Sequence, residues 1–169
     1  MTTKIAPTMV GMSEIKVLQH VGHFTCLGLG SCIGLLAVDT VAKVAGMIHI
    51  MLPQSFEGKP VDKVGKFADT GVPELLKMME AKGAIVSRMR VAYAGGAQVF
   101  QFGNNADKKL EIGLRNAEAV KALIAQYGLR VVGHDVGGRQ GRTVNYDLSD
   151  GRFMVRTVTE GERELCKLH

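Results

Sequence analysis

The sequence predicts an α+β fold with a mixed β-sheet. Three observations lead there. Apolar runs of strand length crowd the first third of the chain, two later stretches carry apolar residues at helical spacing between strands, and Asp150-Gly151 marks a closing hairpin. The chain has 169 residues, enough for one domain with a sizeable core, and residues 1–169 are read as a single domain.

The elements follow in order. Residues 16–21 alternate loosely and stop at Gly22, as a half-buried strand does. Residues 24–27 form a second extended piece, broken by Gly28 and Gly30, which open backbone angles closed to other residues. Residues 33–38 are continuously apolar and end at Asp39, which suits a strand buried on both faces. After a turn at Asp39-Thr40, residues 44–52 form another apolar strand that stops at Pro53. Its alternation puts Met47, His49 and Met51 on one face. Residues 54–70 are polar and read as a mobile surface loop, a candidate for choosing the substrate. Pro73 then opens a helix with Asp69 or Thr70 as cap, Val72, Leu75, Leu76 and Met79 on its apolar face, and Gly83 as its end. Residues 89–94 form a strand running into Gly95-Gly96-Ala97. A second helix spans 114–127, with Leu114, Ala117, Val120, Leu123, Ile124 and Tyr127 on one stripe and Gly128 as its stop. Strands at 129–136, 143–148 and 152–158 follow, and the charged tail, 159–169, reads as frayed or as a short terminal helix.

Composition narrows the function. Apolar residues make up 46% and charged residues 22%, which fits a folded globular chain rather than a disordered one. No apolar run approaches the roughly 18 residues of a membrane span, and the first residues lack the apolar segment of a secretory signal, so a cytoplasmic location without membrane insertion is expected. The net charge of +5 is scattered, with only local pairs such as Lys108-Lys109, and aromatic residues are few. A nucleic-acid surface concentrates its cations and interleaves stacking rings, so no nucleic-acid partner is expected. Three cysteines, Cys26, Cys32 and Cys166, without CxxC spacing argue against a disulfide framework or a zinc site.

The chemistry centres on Leu27-Gly28-Leu29-Gly30-Ser31-Cys32-Ile33-Gly34. The stretch is not a dinucleotide fingerprint, since position 33 is not glycine and a strand follows rather than a helix; it also lacks the ending of a P-loop. What remains is a glycine bend with backbone N–H groups near a thiol, able to hold an oxyanion, or else a tight turn around a packed cysteine. The short connection from 38 to 44 makes the flanking strands hairpin neighbours and brings His49 towards Cys32. A thiol and an imidazole are the pair needed to attack an amide or ester carbon. Gly95-Gly96 lines the site by close backbone approach, or else serves packing. His20, His23, His134 and His169 show no partner pattern, and Arg115-Asn116 is a helix cap or a substrate contact.

These residues resemble a known family. The glycine-cysteine stretch, Gly46-Met47-Ile48-His49-Ile50-Met51-Leu52-Pro53, Phe67-Ala68-Asp69, Pro73-Glu74-Leu75-Leu76, Gly95-Gly96-Ala97-Gln98-Val99-Phe100, Ile112-Gly113-Leu114-Arg115-Asn116 and Gly137-Gly138 are similar, in order, to the chemoreceptor glutamine deamidases of the CheD family. The resemblance implies a protein-glutamine amidohydrolase acting on methyl-accepting chemotaxis receptors, with Cys32 as nucleophile and His49 as its histidine. It also implies a layered α/β sandwich with flanking helices, similar to the catalytic domain of cytotoxic necrotizing factor toxins, and, in some members, the phosphatase CheC as a partner. The family's third active-site residue, a threonine, falls here on Cys26. The chemistry expected is a Cys32 thiolate favoured by the His49 imidazolium, backbone N–H groups around Gly30, Ser31, Gly95 and Gly96 at the substrate, and no metal or organic cofactor. The departure at Cys26 keeps open a non-catalytic module that docks on receptors or CheC. Methylesterase action on receptor glutamyl esters is a second alternative.

Overall fold

The computed structural model describes residues 6–98 and 111–169. Val99 and Phe100 of the glycine-rich motif, Lys108-Lys109 and the first five residues lie outside them. Two five-stranded sheets stack face to face, and two helices cover the outer face of one of them. The central sheet has the order β2 (Ile15–Gln19), β5 (Val44–Ile50), β4 (Ile33–Asp39), β6 (Arg90–Gly95), β7 (Arg130–Val136). The second sheet has the order β1 (Thr8–Met9), β3 (His23–Leu29), β8 (Arg142–Asp147), β9 (Arg152–Thr157), β10 (Gly161–Lys167). The fold is therefore mixed α/β with two sheets, where the sequence suggested one. Each strand reads much the same whichever sheet it joins, so partner choice is invisible in the pattern.

The central hairpin explains the longest apolar run. In β4 and β5, Ile33, Leu35, Ala37, Val44, Ile48 and Ile50 point to the helices, while Leu36, Val38, Ala45 and Met47 point to the second sheet. Every residue of both strands is buried, so neither face carries the polar alternation of a half-exposed strand. Asp39 closes this hairpin: its carboxylate accepts from the N–H groups of Val41, Ala42 and Ile85 and from Arg88. Burial works to raise its pKa, and the bonds from Ile85 and Arg88 outweigh burial and hold it low.

Helix α1 (Ala68–Glu80) crosses β5 closely because glycines lie on both sides of the contact. A Cβ on Gly46 would come within 2.6 Å of Leu75 Cδ1, and one on Gly71 within 2.5 Å of Ile48 Cδ1. The helix starts before the expected cap, and Pro73 lies inside it. Asp69 instead accepts from Ser55 N–H and Oγ–H, and Thr70 donates to Val64 O, so both side chains hold down the preceding loop. That loop contains a 3-10 turn, Val64–Lys66, whose Lys66 carbonyl accepts from Met51 and Leu52.

Helix α2 (Ile112–Gln126) joins β6 to β7, which are parallel neighbours and so need a crossover. Gly128, at φ +65°, ends it as expected. Its buried stripe is Gly113, Asn116, Ala117, Val120 and Ile124, whereas Leu114 is 51% exposed. The tail is neither frayed nor helical: β10 pairs antiparallel with β9 and brings Leu168 into the core between the sheets. Glu162 and Glu164 sit among its outward positions, and that charge on an edge strand hides it from a hydrophobicity reading.

Candidate active site

His49 is built into the inter-sheet layer by simple alternation along β5. It is 1% exposed. Its Nδ1 lies 3.2 Å from the carbonyl oxygen of Val10, just after β1, and 3.5 Å from Cys26 Sγ on β3. A carbonyl can only accept, so Nδ1 carries the proton and donates it to Val10 O. Nε2 is then left with a lone pair, and among the described residues it has no partner. Burial lowers the imidazole pKa below its ordinary 6.5, more than the Val10 bond and the Glu14 charge restore, so the ring is neutral at pH 7.

Cys32 sits on the loop between β3 and β4. A bulge between Cys26 and Leu29, with Gly28 at φ +68°, bends β3 before it rejoins β8 at Leu29 and Arg142, and Gly30 N–H turns back to Gly28 O. Gly34 pairs with His49 across the β4–β5 ladder. Cys32, two residues earlier, thus occupies the diagonal position to His49 on the same face, a separation of roughly 7–8 Å between Cα atoms. Cys32 is half-buried and packs on the inter-sheet cluster that includes Cys26. A Cβ on Gly34 would lie 3.0 Å from Leu29 Cδ1 and 3.4 Å from Cys26 Sγ, so glycine there leaves room for the Leu29 side chain.

Three supports hold the loop. Gly96 N–H donates to Cys32 O and Ala97 N–H to Gly30 O. Gly95, at φ +123°, runs so close that any Cβ would collide with Cys32 O. On α2, Asn116 Nδ2 donates to both Ser31 O and Met51 O, each at 2.9 Å. From the second sheet, Arg142 donates to Gly95 O and pairs with Asp135 on β7, which Arg163 also engages.

The expected residues thus gather at one place, with altered parts. Gly30 donates its N–H to Gly28 O and Gly96 to Cys32 O, so neither N–H faces a ligand. Among the described residues, the N–H groups of Ser31 and Cys32 donate to no protein acceptor. Gly95 is a spacer beneath Cys32. Burial raises the pKa of Cys32, and burial first and the Cys32 charge second push Cys26 to about 12. The resting pair is therefore a thiol and a neutral imidazole rather than the ion pair the chemistry suggested. His23 bonds Asn145 and His134 stacks on Tyr93, so both serve the sheets. Sequence reasoning missed Val10, whose part is played by a backbone carbonyl with no side-chain signal. It missed Arg142 as well, and offered Asn116 as a helix cap or a substrate contact, whereas Asn116 bonds Ser31 O and Met51 O. A polar residue one turn before Val120 on an apolar stripe was the available clue.

Comparison with known proteins places the chain in a family. Residues 51–157 match the family model described as CheD chemotactic sensory transduction. The "Probable chemoreceptor glutamine deamidase CheD" of Desulforamulus reducens is 40% identical over 155 residues, covering 90% of this chain and 92% of that protein. The "Chemoreceptor glutamine deamidase CheD" of Thermotoga maritima is 40% identical over 155 residues, covering 92% and 94%. The protein of that name in Halalkalibacterium halodurans is 42% identical over 157 residues, covering 92% and 96%. With identity at this level along nearly the whole of both chains, the chain belongs to the CheD family.

Proposed function

We propose that this protein is a chemoreceptor glutamine deamidase that converts specific receptor glutamines to glutamate and ammonia through a thioester on Cys32. The carrying observation is His49: buried, tautomer set by Val10, its basic Nε2 unpartnered among the described residues, and on the same face as a half-buried thiol. Nε2 takes the thiol proton as sulfur attacks the side-chain amide carbon. The oxygen of the tetrahedral adduct takes up negative charge against the N–H groups of Ser31 and Cys32. His49 then returns the proton to the leaving nitrogen, and the C–N bond breaks to release ammonia. A water, deprotonated by Nε2, attacks the thioester; the C–S bond breaks, glutamate forms, and Cys32 regains its proton. These steps use only the protein's side chains and water.

Cys26 is compatible with this scheme. The acceptor that orients His49 belongs to Val10, and Cys26 Sγ packs on the same nitrogen, so the threonine hydroxyl of the family pattern is not required for the tautomer. We read residues 1–169 as one domain, because both sheets contribute to the site. The stacking of two sheets under a helical layer supports kinship with the catalytic domain of cytotoxic necrotizing factor toxins. Methyl-accepting chemotaxis receptors are the partners, met in the cytoplasm, and a CheC-type phosphatase is a second partner on the family pattern. Incubation with a purified receptor cytoplasmic fragment tests the proposal. Ammonia release should accompany the mass gain of glutamine-to-glutamate conversion, and Cys32→Ala should abolish both. Undiminished conversion by Cys32→Ala would refute it.

A further inference from the structure

We propose that Asn116 is a positioning residue that aims the oxyanion donor at Cys32 and locks the nucleophile loop to the strand carrying His49. The inference rests on the reading of Cys32 and His49 as the catalytic pair. Asn116 is fully buried on a stripe otherwise filled by Gly113, Ala117, Val120 and Ile124. Its Oδ1 is buried without a partner among the described residues, a cost that a packing role does not explain, since an apolar side chain would avoid it. Both hydrogens of its Nδ2 are in use, one on Ser31 O and one on Met51 O.

Those two carbonyls lie where the β4–β5 ladder stops. Its last rung joins Ile33 to Ile50, and beyond it Met51 and Leu52 turn away to donate to Lys66 O. No ladder bond then holds residue 32 level with residue 51. The Asn116 amide bridges the gap as a side-chain rung. Its bond to Ser31 O does more. The Ser31 carbonyl and the Cys32 N–H belong to one planar trans peptide unit, so holding the carbonyl towards α2 turns the N–H to the opposite side. That N–H is one of the two proposed for the oxyanion. Holding Met51 O two residues past His49 constrains the strand end that carries the base. Without Asn116, substrate still binds, but the donor and the base drift from the reacting carbon.

The test compares Asn116→Ala, Asn116→Asp and Val120→Ala with the wild type on a receptor fragment. Val120 is buried on the same stripe one turn along and touches neither carbonyl in this bonding scheme, so it controls for lost helix packing. Asn116→Ala should lower kcat by about ten- to a hundredfold with KM within about twofold, the pattern of a misaimed transition-state donor. Asn116→Asp keeps the shape but turns an acceptor towards two carbonyls and should lose more. Val120→Ala, at an equal or greater drop in Tm, should keep kcat within about twofold. A wild-type kcat in Asn116→Ala, or an equal loss in Val120→Ala, overturns the proposal; should Asn116→Asp fail to fold, the other two variants still decide. Cys32→Ala in the same assay separates the two readings. Turnover by Cys32→Ala would remove the catalytic pair and this inference with it, whereas an inactive Cys32→Ala beside a fully active Asn116→Ala would remove only the positioning role.

Discussion

The two faces of the central sheet are equally buried and chemically unlike. The face under the helices is filled by Ile33, Leu35, Val44, Ile48, Ile50, Leu75 and Met79, with no histidine or cysteine among its buried residues. The face against the second sheet begins in the same way, with Leu36, Ala45, Met47, Phe24 and Phe153, but at one end it takes in Cys26, His49 and the edge of Cys32. The helix layer packs apolar side chains, with Asn116 of α2 buried among them. The inter-sheet layer accepts the His49 imidazole and the Cys26 and Cys32 thiols, and burial favours the neutral form of each. The candidate chemistry faces the second sheet, and the larger apolar cluster of the same two strands faces the helices.

That division can be broken deliberately. His49→Ala removes the base and should reduce deamidation about 10²- to 10⁴-fold while the folded state survives, read by ammonia release and circular dichroism. Leu75→Ala does the reverse on the other face. It should cost about 2–5 kcal/mol in denaturant unfolding while kcat per folded molecule stays at the wild-type value. A large fall in kcat from Leu75→Ala would mean that the two faces are not independent.

Titration sharpens the comparison, because only one of these two faces holds a buried histidine. The His49 pKa is lower in the folded than in the unfolded chain, so the unfolded chain binds more protons in acid. The resulting stability is complete above about pH 6.5 and is lost as pH falls through the unfolded value to the depressed folded one. Wild-type Tm should therefore fall more than that of His49→Gln between pH 7.5 and 5. For the same reason the acid limb of kcat/KM, which reports the free protein, should lie below 6.5. Because burial raises the Cys32 pKa, its alkylation should still be climbing at pH 9, without a plateau near neutrality. The smallest effect is expected from Cys26→Ser, which should leave turnover within about fivefold because Val10 O holds the histidine tautomer. A hundredfold loss would return the third role to the side chain at position 26.

Much of this arrangement is legible in the residues themselves. The doubly buried hairpin, the glycine bend, Cys32 and His49 follow from runs of apolar residues and from residue types whose chemistry is scarce elsewhere in the chain. The loop supports are not legible in the same way. Gly95 and Gly96 look like donors in a sequence, yet Gly96 gives its N–H to Cys32 O and Gly95 serves by lacking a Cβ. The edge strand β10 hides behind its glutamates, and Asp69 and Thr70 offer helix caps that they do not provide.

Sequence alone determined the local order: which residues extend, which coil, where glycine permits a bend, and that a thiol and an imidazole face each other across a hairpin. These follow from periodicity and backbone sterics, which act within a few residues. Tertiary structure decided that the strands divide into two sheets, that the Val10 carbonyl is the acceptor for His49 Nδ1, and that burial favours the neutral forms of Cys32 and His49. Those outcomes depend on which surfaces meet and how much water they exclude. They join residues 10 and 49, 116 and 31, and 142 and 95, pairs that no local pattern connects.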